Sequence, residues 1–203
     1  LSLAQWLTFE EKEIAFVIRP WRESSSLIST LHCFAAGVPS ALVESPDKAV
    51  ENMQQITPTL SFGVPYIFET FHEESMKLLR GQPEANQKVF QWALAKSKEY
   101  RAAGELASPE LREEFLRADM TFFNQFRGQV GGRLRRLYST GSALPEEITE
   151  FFEALGSPLL SIYSLAEVLG FPTFHQPGSY RAGSSGQIPP GFQIPIEKDD
   201  EIF

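Results

Sequence analysis

The stretch from Arg133 to Glu167 constrains the fold of this chain more than any other segment. It runs as a short apolar strand, a turn of small residues over 139–143, a helix, and a second apolar strand that begins at 160. Pro145 favours the first turn of the helix, and four apolar residues recur at helical spacing after it. Those four residues are Ile148, Phe151, Phe152 and Leu155. Small-residue turns at the ends of neighbouring strands predict a crevice that can hold a ligand.

Further apolar runs and helical periodicities predict more strands and helices. Strands are expected over 14–18, 40–44 and 57–62, and helices over 27–36, 47–55, 65–80, 83–104 and 108–130. The expected fold is therefore α/β, with a mixed, mostly parallel sheet flanked by helices. In the helix over 27–36, Leu31, Phe34 and Ala35 are expected to pack on one buried face. His32 and Cys33 are expected in or near the core.

Composition limits the functions that this chain can have. The net charge of −8 argues against a general nucleic-acid binder, because no basic surplus is available to neutralise phosphates. The single cysteine, Cys33, excludes an internal disulfide, and the three histidines lack metal-ligand spacing. Arg133, Arg135 and Arg136 form a basic cluster that we interpret as a solvated face, with phosphate or membrane-surface contact as the weaker alternative.

Three segments resemble motifs of the adenylate-forming enzymes. Residues 139–145 read Ser-Thr-Gly-Ser-Ala-Leu-Pro and resemble the family's Ser-Gly-Gly-Ala-Pro-Leu-Pro motif. Residues 163–167 read Tyr-Ser-Leu-Ala-Glu and resemble its Tyr-Gly-Leu-Thr-Glu motif. Residues 58–65 resemble its Pro-Thr…Gly-Val-Pro-Arg segment. The branch indicated is the long-chain fatty acid–CoA ligases, with the acyl carrier protein ligases beside them, and the resemblance runs from about Ile14 to the end.

The resemblance implies a function for the whole protein. Residues 1–203 would be a partial AMP-binding domain, part of the N-terminal domain of an adenylate-forming enzyme, without its phosphate-loop segment and C-terminal domain. The whole protein would use ATP and Mg²⁺ to convert a fatty acid to acyl-adenylate. It would then pass the acyl group to coenzyme A or to an acyl carrier protein. Such an ATP-dependent acid–thiol ligase is expected in the cytoplasm or in peripheral contact with a membrane, and this chain alone is expected to be inactive.

The resemblance also assigns nucleotide-binding residues. Gly141, Ser142 and Ala143 would line the adenine, and Tyr163 would stack on its face. Ser164 replaces a small glycine of the motif and belongs to the same expected site. The alternative for Tyr163 is a packed tyrosine at a strand end.

Two further roles come from the resemblance. Glu167 would hold magnesium and act in catalysis, the alternative being a solvated carboxylate. Arg22 stands where the family has a catalytic histidine; it can hold an anion but cannot titrate, and a plain turn is an equal alternative. Val64 and Pro65 would border the acyl pocket.

The motif departs from the family at one position that matters for phosphate binding. Ala166 replaces a threonine and has no hydroxyl to donate a hydrogen bond to phosphate. The chain could therefore be a non-catalytic, degenerate homologue that acts as a binding or interaction protein.

Overall fold

Six strands form one sheet among the residues that the computed structural model describes, namely 9–18, 23–165, 167, 170–175, 184–191 and 193–195. They are β1 (Ala15–Val17), β2 (Ser40–Leu42), β3 (Leu60–Gly63), β4 (Arg136–Thr140), β5 (Leu159–Leu165) and β6 (Gly170–Phe174). Their order across the sheet is β2-β1-β3-β4-β5-β6. Every neighbouring pair is parallel except β5 and β6, which are antiparallel. The predicted mixed, mostly parallel sheet is confirmed.

Seven α-helices lie in the same described part of the chain. They are α1 (Ser24–Ala35), α2 (Ala49–Ile56), α3 (Pro65–Arg80), α4 (Glu84–Ala103), α5 (Pro109–Ala118), α6 (Asn124–Gly128) and α7 (Glu146–Ala154). A π-helical turn over Asp119–Phe123 joins α5 to α6, so the helix predicted over 108–130 is interrupted. Across this turn Arg127 binds both carboxylate oxygens of Asp119, at 2.6 and 2.8 Å. None of these helices combines the length and apolar character that crossing a membrane requires.

The sheet has different layers on its two faces. Helices α2 to α7 supply a large apolar cluster on one face, where Phe16 and Leu137 point. On the other face α1 is the only described helix, and it covers a smaller cluster that includes Val17 and Tyr138. Along β1, β4 and β5, adjacent buried apolar residues alternate between the two clusters, as the pleat of a β-strand requires.

Helix α1 packs on the sheet through polar and small side chains. Its buried residues are Ser25, Ser26, Ser29, His32 and Cys33. Leu31 and Phe34 are instead 54% and 82% exposed, and Ala35 is exposed, so the prediction that these three pack inward is wrong. Small side chains let the helix lie close to the sheet, and the Ser29 hydroxyl donates to a carbonyl one turn back at 2.7 Å.

The buried side of α1 also determines the state of its cysteine. The prediction that His32 and Cys33 lie in or near the core is confirmed, since both are buried. Burial raises the pKa of the Cys33 thiol to about 11. The thiol therefore stays protonated at neutral pH and is unsuited to act as a nucleophile.

The basic cluster before β4 is divided between surface and interior. Arg133 and Arg135 are exposed, as predicted for a solvated face. Arg136 is 8% exposed and donates a hydrogen bond to Glu13, which is 3% exposed. The prediction is therefore wrong for Arg136. Its side chain is buried against the sheet, and the Glu13 carboxylate neutralises its charge.

The buried ion pair predicts a stability effect. Arg136→Met should lower the free energy of unfolding by roughly 3–5 kcal/mol, because it leaves the Glu13 carboxylate buried without its cation. Urea denaturation of the chain measures this. The matched control is Lys48→Met in the exposed Lys48–Glu44 pair, which should leave the free energy of unfolding almost unchanged because water screens this pair. Equal losses in the two variants would contradict a structural role for the buried pair.

Candidate functional site

Three parallel strands end side by side at one edge of the sheet. Gly63 at the end of β3 pairs with Ser139 of β4, and Thr140 pairs with Ile162 of β5. The segments that follow parallel strands leave from the same edge, where ligands bind in open α/β sheets. The structure thus brings together Val64–Pro65, the 141–143 turn and the end of β5, and their functional roles stay predictions.

The turn after β4 exposes its backbone. Gly141 has a φ of +114°, which L-residues rarely adopt, and a Cβ built on it would meet no atom within 4 Å. Ser142 and Ala143 are exposed as well. A flat ligand could therefore lie directly against this stretch of main chain.

The end of β5 lies beside that turn. Tyr163 is one residue beyond the Thr140–Ile162 pair, and both Tyr163 and Ser164 are half-buried. The pairing of β5 with β6 shifts register between Tyr163 and Leu165, an irregularity common near functional sites. The strand thus holds the backbone of Tyr163 in place, and the residue is partly open to solvent.

Glu167 follows β5 and is exposed. Magnesium is commonly held by one or two carboxylates together with substrate phosphates, so a single exposed carboxylate at this edge fits the expected role. Within the described ranges, no three His, Cys, Asp or Glu side chains group closely enough to hold a metal ion by themselves.

The turn after β3 is packed and rigid. Pro65 is buried and begins α3, and Val64 before it is half-buried. A Cβ on Gly63 would lie 2.9 Å from the Phe68 ring, so only glycine lets this ring pack under the strand end. The turn that is predicted to border the acyl pocket is therefore held in one conformation by its packing.

Two positions of the predicted site lie outside the described residues. They are Arg22, assigned to catalysis, and Ala166, where the motif has lost its threonine. Their assignments stay predictions.

A crevice that the sequence analysis missed opens between α1 and the ends of β3 and β4. It is lined by Ser25, Ser26, Ser29, Phe62, Gly63 and Thr140. The sequence signal was the run of serines at 24–26 with another at 29, which share a side of a helix directly after β1. The sequence pattern does not predict a surface lined by these serines, because the apolar residues of α1 are expected to face inward.

Comparison with known proteins identifies the family to which the chain belongs. The family model described as "AMP-binding enzyme" matches residues 9–202. This chain belongs to the AMP-binding enzyme family. The predicted resemblance is confirmed at the level of the family, over nearly the whole chain.

The curated relatives of this AMP-binding chain are much longer than it is. It is 28% identical over 156 residues to the putative fatty-acid–CoA ligase fadD11 of Mycobacterium tuberculosis, covering 74% of this chain and 27% of that protein. It is 26% identical over 140 residues to the long-chain-fatty-acid–CoA ligase ACSBG2 of Mus musculus, covering 68% of this chain and 21% of that protein. The chain thus spans about a quarter of the length of these relatives.

Solved structures share the fold. o-Succinylbenzoate CoA synthetase of Bacillus subtilis, in complex with the acyl-adenylate intermediate OSB-AMP, superposes with a TM-score of 0.61 at 15% identity. That match covers 100% of this chain and 32% of the synthetase. The N-terminal domain of FACL13 from Mycobacterium tuberculosis gives 0.56 at 15% identity, covering 100% of this chain and 41% of that domain. The fold of this AMP-binding chain is therefore that of part of the N-terminal domain of adenylate-forming enzymes.

A broader groove lies away from the strand ends, between α3, α4 and α7. Its lining includes His72, Met76, Leu94, Arg101, Glu147 and Phe151. The His72 ring packs edge-on against Phe151 with centroids 4.8 Å apart, and its Nε2 lies 3.9 Å from Glu147. Burial lowers the pKa of His72, and the exposed Glu147 only partly opposes this. None of the described residues that the resemblance assigned lines this groove.

The lowered pKa of His72 predicts a pH dependence of stability. The unfolded chain protonates this imidazole near its ordinary pKa of about 6.5, whereas the folded chain resists protonation until lower pH. Stability should therefore fall as pH falls from about 6.5 through the folded pKa. Urea denaturation at pH 8 and pH 5 measures the difference, and His72→Gln should make it smaller. An unchanged or larger difference in the variant would contradict the burial effect.

Proposed function

We propose that this chain forms part of a long-chain fatty acid–CoA ligase that activates a fatty acid with ATP and transfers it to a thiol. The observation that carries the proposal is the exposed Gly141 turn beside Tyr163, at the ends of two adjacent parallel strands in a chain of the AMP-binding family. The names of the two curated relatives support a fatty acid as the acid. Coenzyme A is the proposed acceptor, with an acyl carrier protein as the alternative.

The chain's own residues would bind and orient the nucleotide. The backbone at Gly141, Ser142 and Ala143 would lie along one side of the adenine, and the Tyr163 ring would stack on its face. Helices α1, α3 and α7 begin after β1, β3 and β4, so their positive ends favour anionic phosphates at this edge.

The reaction itself is a displacement at phosphorus followed by a displacement at carbon. An oxygen of the fatty-acid carboxylate would attack the α-phosphate of ATP, forming acyl-adenylate as pyrophosphate leaves. A thiol sulfur would then attack the acyl carbonyl and release AMP. Magnesium supplies charge neutralisation on the phosphates, and Glu167 would hold it. Val64 and Pro65 would border the acyl group as it enters from the β3 side.

The nucleotide site is tested by the affinity of the chain for AMP. Tyr163→Ala should weaken binding about tenfold or more, because stacking of a base on an aromatic ring contributes roughly 1–3 kcal/mol. Titration calorimetry measures the affinity. Trp92→Ala, an aromatic residue on α4 that is 37% exposed, is the matched control and should bind normally.

Gly141→Val should also weaken AMP binding, since the side chain strains the turn and occupies the open space. Gly104→Val is its control: Gly104 also has a positive φ and open surroundings but lies at the end of α4. Normal AMP binding by both Tyr163→Ala and Gly141→Val would place the nucleotide elsewhere.

The alternative function is a non-catalytic homologue that binds nucleotide or a partner. The observation in its favour is Ala166, which removes the hydroxyl expected to contact phosphate. AMP binding without palmitate-dependent exchange of pyrophosphate into ATP, in the protein as its cells make it, would favour this alternative. A cytoplasmic or membrane-surface location stays a prediction.

A further inference from the structure

Four of the six residues that line the crevice between α1 and the sheet carry a hydroxyl group. Ser25, Ser26 and Ser29 face it from the first turns of α1, and Thr140 faces it from the end of β4. Phe62 and Gly63 form the rest of its lining. It lies within two residues of both the Val64–Pro65 turn and Gly141, so it adjoins the proposed site for the reacting groups.

One of these hydroxyls, that of Ser26, has no hydrogen-bond partner in the described part of the chain. Ser26 is 2% exposed, and its Oγ makes no hydrogen bond to any described residue. By contrast, the Ser29 hydroxyl is satisfied by the Ser25 carbonyl. A buried hydroxyl without a partner costs stability. Such a group at the wall of a crevice next to a proposed acid site indicates a ligand that completes its hydrogen bond.

The chemistry of the crevice limits that ligand to a small, neutral, polar group. None of the six lining residues is charged, and the crevice is too small for a carboxylate or phosphate group. The free space is about 10 Å³, which is close to the minimum that one water-sized group needs. A methylene group would fit this space but would leave the Ser26 hydroxyl unsatisfied.

We propose that this crevice is a subsite for a hydroxyl substituent close to the carboxyl end of the acid, so that the preferred substrate is a hydroxy fatty acid. This inference rests on the proposed function, because it requires the acid to lie at the carboxyl edge of the sheet. A hydroxyl both donates and accepts, which matches serine and threonine. A site that hydrogen-bonds a substrate hydroxyl discriminates against the analogue that lacks it.

The test compares the affinities of the chain for decanoate, 2-hydroxydecanoate and 3-hydroxydecanoate by titration calorimetry, with AMP as a separate ligand. At least one hydroxy acid should bind about tenfold tighter than decanoate, the discrimination expected of one buried hydrogen bond. Ser26→Ala should reduce the ratio of affinities to about one. Ser75→Ala is the matched control, because the Ser75 hydroxyl on α3 is also buried without a partner among the described residues and does not line the crevice. It should leave the ratio unchanged.

Each other result overturns the subsite. Equal affinities of the wild-type chain for all three acids would show that the crevice does not bind a substrate hydroxyl. A preference for a hydroxy acid that remains in Ser26→Ala would show the same. Binding of AMP but of none of the acids would also reject the subsite, while leaving the proposed nucleotide site in place. Failure to bind AMP as well as the acids would reject the proposed function together with this inference.

Discussion

The parallel pairing of β3, β4 and β5 is the constraint on which the rest of the structure depends. Their register, with Gly63 beside Ser139 and Thr140 beside Ile162, fixes which side chains face α1 and which face the other helices. A shift of one residue would exchange the two faces. It would turn Thr140 away from the crevice and move the Gly141 turn out of line with Tyr163. The candidate site is therefore a consequence of sheet register rather than of any one loop.

Buried polar groups differ in their hydrogen bonding between the amino and carboxyl ends of the strands, which form two opposite edges of the sheet. At the amino edge, Arg136 is paired with Glu13, and the Thr59 hydroxyl accepts from the Ile14 amide at 2.9 Å. At the carboxyl edge, the hydroxyls of Ser26 and Ser139 are buried without partners among the described residues. Satisfied polar groups contribute to stability, whereas unsatisfied ones cost stability unless a ligand binds. This contrast supports the proposal that a ligand binds at the carboxyl edge.

Local patterns predicted most of the fold. Helix α3 has the predicted bounds because Pro65 and Gly81 mark its ends, and the small residues after β4 form the predicted turn. The side of α1 that packs inward was predicted wrongly, since apolar periodicity cannot show whether another layer or the sheet covers a helix. Arg136 was placed on the surface because its partner, Glu13, is 123 residues away in sequence. The crevice was missed for the same reason: the burial of Ser26 depends on tertiary contacts with β3 and β4.

The most direct test of the proposed nucleotide site is the change in amide chemical shifts when AMP is added to the ¹⁵N-labelled chain. The proposed site predicts the largest changes at Gly141, Ser142 and Tyr163, with little change at His72 in the groove between α3, α4 and α7. Shifts concentrated around His72, or none at the strand ends at saturating AMP, would contradict it.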